Sequence, residues 1–221
     1  MNDLVPRILS STPIPSKMIS PVEKAALVEC FQEATRLVPP ELRPQFILIG
    51  GAGSIFHSSS RWTEDVDIVA SPAAIDHFRG AVLDGARNFR IDPFEMIEFD
   101  SRQGFPVKME LLELGGSFVE SIATSVPFPE GLVASVVDLF LLRAVTVADR
   151  GNIRDVEDFK WLLEQVYETG SILPELGRTR LLELLEGVEA AELTFSERLL
   201  VAALLSSQDW DNYLSGKKLY Y

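Results

Sequence analysis

Apolar residues recur at helical spacing in several stretches of the chain and form short unbroken or alternating runs in others. The helical spacing predicts six helices, four of which follow one another after residue 130. The short runs predict four strands, the first of which ends at a pair of glycines. The predicted helices cover residues 21–38, 72–86, 132–149, 155–168, 178–190 and 195–206, and the predicted strands cover residues 46–49, 66–69, 94–99 and 107–112.

The order of these elements divides the chain into parts of different character. Strands and helices are mixed over residues 21–128, whereas residues 129–221 are predicted to be helical. Residues 1–20 contain several prolines and a Ser-Ser-Thr cluster, which predict an irregular arm. We therefore expect an α+β protein with a short mixed sheet in its core and a C-terminal helical lobe.

The composition is that of a globular protein, since 47% of the 221 residues are hydrophobic and 24% are charged. Twenty Lys and Arg against 33 Asp and Glu give a formal net charge of −13. This acidic balance argues against binding duplex nucleic acid through an overall positive field, and leaves room only for a local basic groove. The single cysteine, Cys30, excludes an internal disulfide and fits a reducing compartment.

No segment has the pattern of a signal peptide or a membrane span. The longest apolar run, residues 132–148, carries Asp138 and Arg143 and predicts a buried helix of a water-soluble protein. Residues 1–20 lack the continuous apolar stretch of a signal peptide. We therefore expect a cytoplasmic protein without a membrane partner.

The candidate chemistry lies in residues 50–69, where a predicted buried strand runs directly into glycines. Glycine lets the backbone approach a bulky anion closely and turn its N–H groups towards it. A helix beginning near Ser54 would add the positive end of its dipole. This combination suits a triphosphate, and the residues that would form the phosphate-binding turn are Gly50, Gly51, Gly53 and Ser54.

Two carboxylates follow the glycine turn at a fixed spacing. Asp65 and Asp67 project from the same face of a predicted strand, because side chains alternate along a strand. Mg²⁺ prefers oxygen ligands and is commonly held by one or two carboxylates together with substrate phosphates. Asp67 also lies within an apolar run, where a carboxylate is costly unless it is paired or metal-bound. Asp65 and Asp67 are therefore candidate metal ligands, and Arg61 is a candidate phosphate contact.

Other glycine-rich and acidic motifs do not fit this stretch. A dinucleotide-binding fingerprint needs a third glycine where Phe56 stands. A P-loop needs Gly-Lys-Ser or Gly-Lys-Thr, which the sequence lacks. A calcium loop needs ligands at alternating positions and a glutamate at its twelfth, and the residues from Asp65 onward do not supply them.

The turn and the two aspartates together resemble the active-site signature of the nucleotidyltransferase superfamily of the DNA polymerase beta type. The matching residues are Gly50-Gly51, Gly53-Ser54 and Asp65-Val66-Asp67-Ile68. The wider pattern, Arg61-x-Thr63-x-Asp65-x-Asp67, most resembles the branch that contains the AbiEii toxins. The resemblance implies that the two aspartates bind metal and that the Gly-Ser turn binds nucleotide phosphates.

The superfamily also has a third carboxylate on a later strand, which acts as a metal ligand or as a general base. The best candidate here is Glu110, with Glu113 second. The family usually has aspartate at this position, so the sequence departs from the pattern.

The helical half carries a weaker resemblance to the AbiEii branch. A basic residue, an arginine and an acidic pair recur there at Arg143, Arg150, Asp155 and Asp158. The resemblance implies that Arg143 approaches the nucleotide phosphates. The alternative is that Arg143 pairs with Asp138 or with a carboxylate of a neighbouring lobe, and that Asp155 and Asp158 only charge the first turn of a helix.

These observations favour transfer of a nucleoside monophosphate from a nucleoside triphosphate such as ATP to a hydroxyl acceptor, with two Mg²⁺ ions bound. The acceptor is an RNA end, a protein or a small molecule, and the oligomeric state is left open. A catalytically silent nucleotide-binding or regulatory module is the main alternative, and Glu110 in place of aspartate favours it. A further alternative is an interaction scaffold without a nucleotide site.

Overall fold

The computed structural model describes residues 17–92 and 96–211 and has an α+β fold. A seven-stranded mixed sheet is flanked by helices on both faces, as expected from the sequence. The strands are β1 (Phe46–Ile49), β2 (Asp65–Ala70), β3 (Phe89–Ile91), β4 (Ile97–Asp100), β5 (Pro106–Glu113), β6 (Ser125–Phe128) and β7 (Gly131–Ala134). The helices are α1 (Pro21–Leu37), α2 (Gly50–Phe56), α3 (Pro72–Leu83), α4 (Val136–Arg150), α5 (Ile153–Glu168), α6 (Gly177–Ala190) and α7 (Phe195–Leu204).

The strand order places β2 in the middle of the sheet. The order is β3-β4-β5-β2-β1-β7-β6, with β2 antiparallel to β1 and parallel to β5. Strand β1 also pairs in parallel with β7, which places the end of β1 between β2 and β7. The glycine turn that follows β1 therefore lies beside the strand that carries Asp65 and Asp67.

Alternate side chains of the central strands enter two separate cores. Phe46 and Leu48 of β1 pack in the core formed with α1 and α3, whereas Ile47 and Ile49 pack in the core formed with α4, α5, α6 and α7. This alternation is the two-residue period of a strand that is buried on both faces. The sheet thus separates a two-helix layer from a layer of four helices.

The helices begin at caps that the sequence encodes. Ser20 and Glu23 form a capping box at the start of α1, and Pro21 occupies the first helical position. Ser135 caps α4, and Asn152 caps α5 by accepting a hydrogen bond from the backbone N–H of Asp155. The predicted helices at residues 21–38 and 155–168 are therefore confirmed to within two residues at each end.

The prediction of a helix from residue 132 is wrong at its start, because Gly131–Ala134 form strand β7. Only Ser135 separates the apolar residues of β7 from those of α4, so the hydrophobic pattern does not show the boundary between them. Strand β7 belongs to the sheet but lies within residues 129–221, which were predicted to be helical.

Strands β3 and β6, both at edges of the sheet, were not predicted. Strand β6 contains Pro127, which an edge strand tolerates because one side of its backbone needs no ladder hydrogen bond. Most of the predicted arm over residues 1–20 and the first residues of the predicted strand over 94–99 lie outside the described residues. In the described ranges, every helix is too short or too polar to cross a bilayer.

Candidate functional site

The glycine turn after β1 is the first turn of a short helix. Helix α2 begins at Gly50, four residues before the start expected at Ser54. Gly50 has a φ of +63°, and a Cβ placed there would lie 1.9 Å from Oδ2 of Asp67. Any side chain at this position would therefore be strained in its backbone and would collide with the carboxylate.

The next two glycines of the turn are also enclosed by neighbouring groups. A Cβ on Gly51 would lie 2.9 Å from Oγ1 of Thr63 and 3.1 Å from Cζ of Arg61. A Cβ on Gly53 would lie 3.0 Å from a methyl group of Leu139 in α4. The absence of side chains thus lets the loop before β2 and helix α4 close around the backbone of the turn.

Asp65, Asp67 and Glu110 lie on one face of the sheet, which we call the carboxylate face. Asp67 is the direct neighbour of Glu110 in the parallel pairing of β2 with β5, and adjacent strands lie about 4.8 Å apart. Val69 and Leu112, which share this face by the two-residue period, pack in the core of the four-helix layer. The three carboxylates therefore project towards the helical lobe.

Glu113, the second candidate for the third carboxylate, lies on the opposite face of β5. It pairs with Ala70 at the end of β2, three residues beyond the pairing of Glu110 with Asp67. An odd separation along a strand reverses the face. The strand register thus favours Glu110 over Glu113 as the partner of the two aspartates.

The electrostatics of the carboxylate face are concentrated on Asp67. Burial is the largest cause that raises the pKa of Asp67, to about 7, and the negative charges of Asp65 and Glu110 raise it further. Arg143 and Arg61 act in the opposite direction. A carboxylate whose pKa is raised by other carboxylates would be stabilised in its charged form by a bound cation.

The three carboxylates share a face without converging on one point. Oδ1 of Asp65 accepts a 2.5 Å hydrogen bond from the hydroxyl of Thr63. Within residues 17–92 and 96–211, no three His, Cys, Asp or Glu side chains are grouped closely enough to hold a metal ion. The donor set of carboxylate oxygens nevertheless fits a hard divalent cation, and the lack of a side chain at Gly50 leaves the Asp67 carboxylate directly beside the turn.

A second group of charged residues joins the turn to the helical lobe. We call Arg61, Arg143, Asp155 and Asp158 the arginine cluster. Oδ2 of Asp158 lies 2.7 Å from Nη1 of Arg61 and 3.0 Å from Nη2 of Arg143, and Oδ1 of Asp155 lies 2.7 Å from Nη1 of Arg143. The hydroxyl of Ser54 donates to the same Oδ2 of Asp158 over 3.0 Å. The cluster therefore links α2, the loop before β2, α4 and α5.

These contacts settle how Arg143 is paired. The carboxylate of Asp138 accepts hydrogen bonds from the backbone N–H groups of Ala123 and Thr124 and from the hydroxyl of Ser135. Arg143 pairs instead with two carboxylates of α5, and its burial lowers its pKa from the ordinary value. Arg143 therefore pairs neither with Asp138 nor with a carboxylate of another lobe, the two pairings considered from the sequence, but with two carboxylates of the next helix in the same predicted lobe.

Two buried atoms of the arginine cluster have no hydrogen-bond partner within the described residues. They are Nε of Arg61 and Oδ1 of Asp158. Arg61 thus uses Nη1 to contact Asp158, while its Nε–H remains available beside Gly51. A buried donor without an acceptor is costly, and an anion at the turn would satisfy it.

The loop that carries Arg61 is held in place by a tryptophan. The indole N–H of Trp62 donates to Oε1 of Glu23 over 2.8 Å. The ammonium of Lys17 lies 4.1 Å from the centre of a Trp62 ring, and the guanidinium of Arg154 lies 5.0 Å from it. The loop is thereby attached to the starts of both α1 and α5.

Sequence reasoning named Thr63 and Asp158 within the motifs that carry the resemblance but assigned neither of them a role in the site. The signal for Asp158 lies in the buried stripe of α5, which consists of Asp155, Asp158, Phe159, Leu162, Leu163 and Val166. Two carboxylates that continue an apolar stripe towards the start of a helix indicate buried partners rather than a solvated first turn.

The fold resembles those of several solved proteins, including two whose similarity extends over most of the chain. One is an antigenic nucleotidyltransferase-like protein from Paracoccidioides brasiliensis, with a TM-score of 0.56 at 13% identity over 84% of this chain and 94% of that chain. The other is JHP933 from Helicobacter pylori, with a TM-score of 0.52 at 12% identity over 90% of this chain and 99% of that chain. No protein-family model and no curated protein matches the sequence. At these identities the likeness shows the fold alone, which is nucleotidyltransferase-like.

Proposed function

We propose that the chain is a Mg²⁺-dependent nucleotidyltransferase that moves a nucleoside monophosphate from a nucleoside triphosphate to a hydroxyl acceptor. The observation that carries this proposal is the position of Asp67. It lies beside Glu110 on the next strand and against Gly50 of the turn, with its pKa raised to about 7. The nucleotidyltransferase-like fold supports the same reaction class.

The glycine turn and the two arginines are proposed to bind the triphosphate. Backbone N–H groups at Gly50, Gly51, Gly53 and Ser54 would contact the β- and γ-phosphates. Arg61 offers its unpaired Nε–H next to Gly51. Arg143 is buried and paired through both terminal nitrogens, so it would act through its charge rather than by direct contact.

Asp65, Asp67 and Glu110 are proposed to hold two Mg²⁺ ions, which when bound would stabilise the attacking and leaving oxygens of an in-line displacement. In that displacement the acceptor hydroxyl oxygen forms a bond to the α-phosphorus. The bond from the α-phosphorus to the bridging oxygen of the β-phosphate breaks, and pyrophosphate leaves. Glu110 is exposed at the edge of the site and would accept the proton of the acceptor hydroxyl.

The nearest branch of the superfamily and the acceptor class follow from local sequence and charge. Arg61, Thr63, Asp65 and Asp67 have the spacing of the AbiEii branch, and Thr63 contacts Asp65 directly. The candidate acceptors are an RNA end, a protein side chain or a small molecule. The net charge of −13 favours an acceptor bound at one local site over a long nucleic-acid track.

Labelled nucleotides test the reaction. The protein is incubated with Mg²⁺ and each of the four triphosphates, labelled either at the α- or at the γ-phosphate, together with cellular RNA or cellular protein. We expect label from the α-position to become attached to one acceptor class, and we expect no transfer by Asp65→Asn/Asp67→Asn. Transfer from the γ-position, or equal transfer by the double variant, would contradict the proposal.

A catalytically silent nucleotide-binding module is the second candidate. The observation that favours it is the lack of a grouped three-carboxylate site within the described residues, together with the exposure of Glu110. This candidate predicts Mg²⁺-dependent nucleotide binding without release of pyrophosphate from any triphosphate. A direct assay for pyrophosphate separates the two functions.

A further inference from the structure

Asp158 lies deep in the protein at the meeting point of several elements. Its carboxylate is fully buried, and it is 104 residues away in sequence from Ser54, one of its partners. It belongs to the buried stripe of α5, on which Asp155 precedes it and all the following positions are apolar. An aspartate there must find partners within the protein, because its desolvation is otherwise unfavourable.

A single oxygen of Asp158 receives donors from three elements. Ser54 donates from α2, Arg61 donates from the loop before β2, and Arg143 approaches from α4, all to Oδ2. Because Asp158 itself belongs to α5, this one carboxylate fixes the relative positions of four segments. Two of them, α2 and the loop, carry the proposed phosphate contacts.

The same contact sets the orientation of Arg61. Asp158 accepts a hydrogen bond from Nη1 of Arg61. The rest of the guanidinium lies over the glycine turn, with Cζ 3.1 Å from the position of a Cβ on Gly51. Nε of Arg61 is left without an acceptor within the described part of the chain. A planar guanidinium that is held at one edge has little freedom to rotate, so its free donor has a fixed direction.

Stability alone is a weak explanation for this arrangement. Well-packed apolar residues often stabilise a protein as much as a buried ion cluster does. Asp155 of the same helix is also buried but has different partners: it pairs with Arg143 and Asn152 and contacts neither α2 nor Arg61.

We infer that Asp158 is a positioning residue, which uses one carboxylate oxygen to fix Ser54 and the two guanidiniums and thereby sets the geometry of the glycine turn. The inference rests on the proposed function in one respect, since it takes the turn to be the triphosphate site. It extends that proposal by making the helical lobe a determinant of nucleotide binding, through a residue that does not contact the nucleotide.

The test compares Asp158→Asn with Asp155→Asn, which removes the same charge from the same buried helix face. Hydrogen exchange of peptides that cover α2 is measured without ligand, and the affinity for ATP, CTP, GTP and UTP is measured with Mg²⁺. We expect Asp158→Asn to accelerate exchange in α2 at least tenfold and to weaken nucleotide binding at least tenfold. We expect Asp155→Asn to change each by less than threefold.

The two readouts separate the failure of this inference from failure of the proposed function. If the wild-type protein binds none of the four nucleotides, the proposed function is wrong, and the exchange of α2 alone decides whether Asp158 positions the turn. Equal exchange of α2 in the two variants would overturn the inference. Unchanged nucleotide affinity in Asp158→Asn would overturn it as well.

Discussion

The carboxylate face and the arginine cluster both adjoin the glycine turn but differ in how their charges are balanced. The arginine cluster contains two arginines and two aspartates, each with an opposite charge within 3.0 Å. The carboxylate face contains three acidic residues, and no ion pair to them occurs within the described residues. Folding thus balances the charges of the first group from within the chain and leaves the second group with a net negative charge, which the proposed metal site would require.

The largest loss of stability is expected from breaking the ion pairs of the arginine cluster. Arg143→Met removes the cation that both aspartates of α5 share, and we expect a loss of about 3–5 kcal/mol of unfolding free energy. Adding Asp155→Asn should restore part of this loss, because one uncompensated buried charge is then removed. Urea denaturation measures both variants.

Arg90 provides the matched control for Arg143, since it also pairs with two carboxylates, those of Glu98 and Asp100, but is half exposed. Arg90→Met should cost at most about 1 kcal/mol. A similar cost for the two arginines would contradict the distinction between a buried and an exposed cluster.

The next effect concerns the contact between the turn and the carboxylate face. We expect Gly50→Ala to destabilise the protein by about 2–4 kcal/mol, because the residue has positive φ and its Cβ would overlap Oδ2 of Asp67. Gly80 in α3 has open space around it, so Gly80→Ala should instead stabilise the protein by about 0.5–1 kcal/mol. Thermal denaturation of both variants checks the contrast, which fails if both changes have the same sign.

Neutralising the carboxylate face should stabilise the protein. Because the folded-state pKa of Asp67 is raised to about 7, its contribution to stability is complete below about pH 4 and is lost as the pH rises through 7. Asp67→Asn should therefore match the wild type near pH 4 and exceed it at pH 8 by up to about 4 kcal/mol, the free energy that corresponds to a pKa rise from 3.8 to about 7. Denaturation across this pH range, with the exposed Asp76→Asn as control, measures the difference. A destabilised Asp67→Asn at pH 8 would show that the carboxylate is internally satisfied.

The smallest change in stability is expected from substitutions of Glu110 and Glu113, the two glutamates of β5. Glu110→Gln removes a charge that raises the pKa of Asp67, so it should stabilise the protein slightly, by up to about 0.5 kcal/mol at pH 8. Glu113 lies on the other face of the strand, so Glu113→Gln should leave the titration of Asp67 unchanged. Nuclear magnetic resonance titration of the Asp67 carboxyl group distinguishes the two, and equal pKa changes would contradict the assigned register.

The fold could be predicted from the sequence wherever an element was long or sharply bounded. Strand β1 was predicted at its observed bounds because a continuous apolar run ends at Gly50. Strand β7 was missed because only one small polar residue, Ser135, separates its apolar residues from those of α4. The strands at the sheet edges were missed because they are three or four residues long and are interrupted by Arg90 in β3 and by Ser125 and Pro127 in β6, so they show neither a period nor an unbroken apolar run.

The candidate site also contains residues that the sequence could predict and residues that it could not. The strand period alone predicts that Asp65 and Asp67 share a face. Glu110 was proposed as their partner from the family resemblance, and the register of β2 and β5 supports that choice. The arginine cluster could not be predicted, because Arg61 and Asp158 are 97 residues apart and meet only through the packing of α5 on the turn. Local patterns identify residues with potential chemistry, whereas tertiary packing decides which charges are already neutralised.

The most direct test of the central claim is a thermal-shift titration with ATP, CTP, GTP and UTP, with and without Mg²⁺, on the wild type and on Asp65→Asn/Asp67→Asn. A ligand that binds only the folded state raises the melting temperature as its concentration rises. We predict a nucleotide-dependent rise that requires Mg²⁺ and is absent in the double variant. Absence of any shift in the wild type, or an undiminished shift in the double variant, would contradict the claim that the carboxylate face is a metal-dependent nucleotide site.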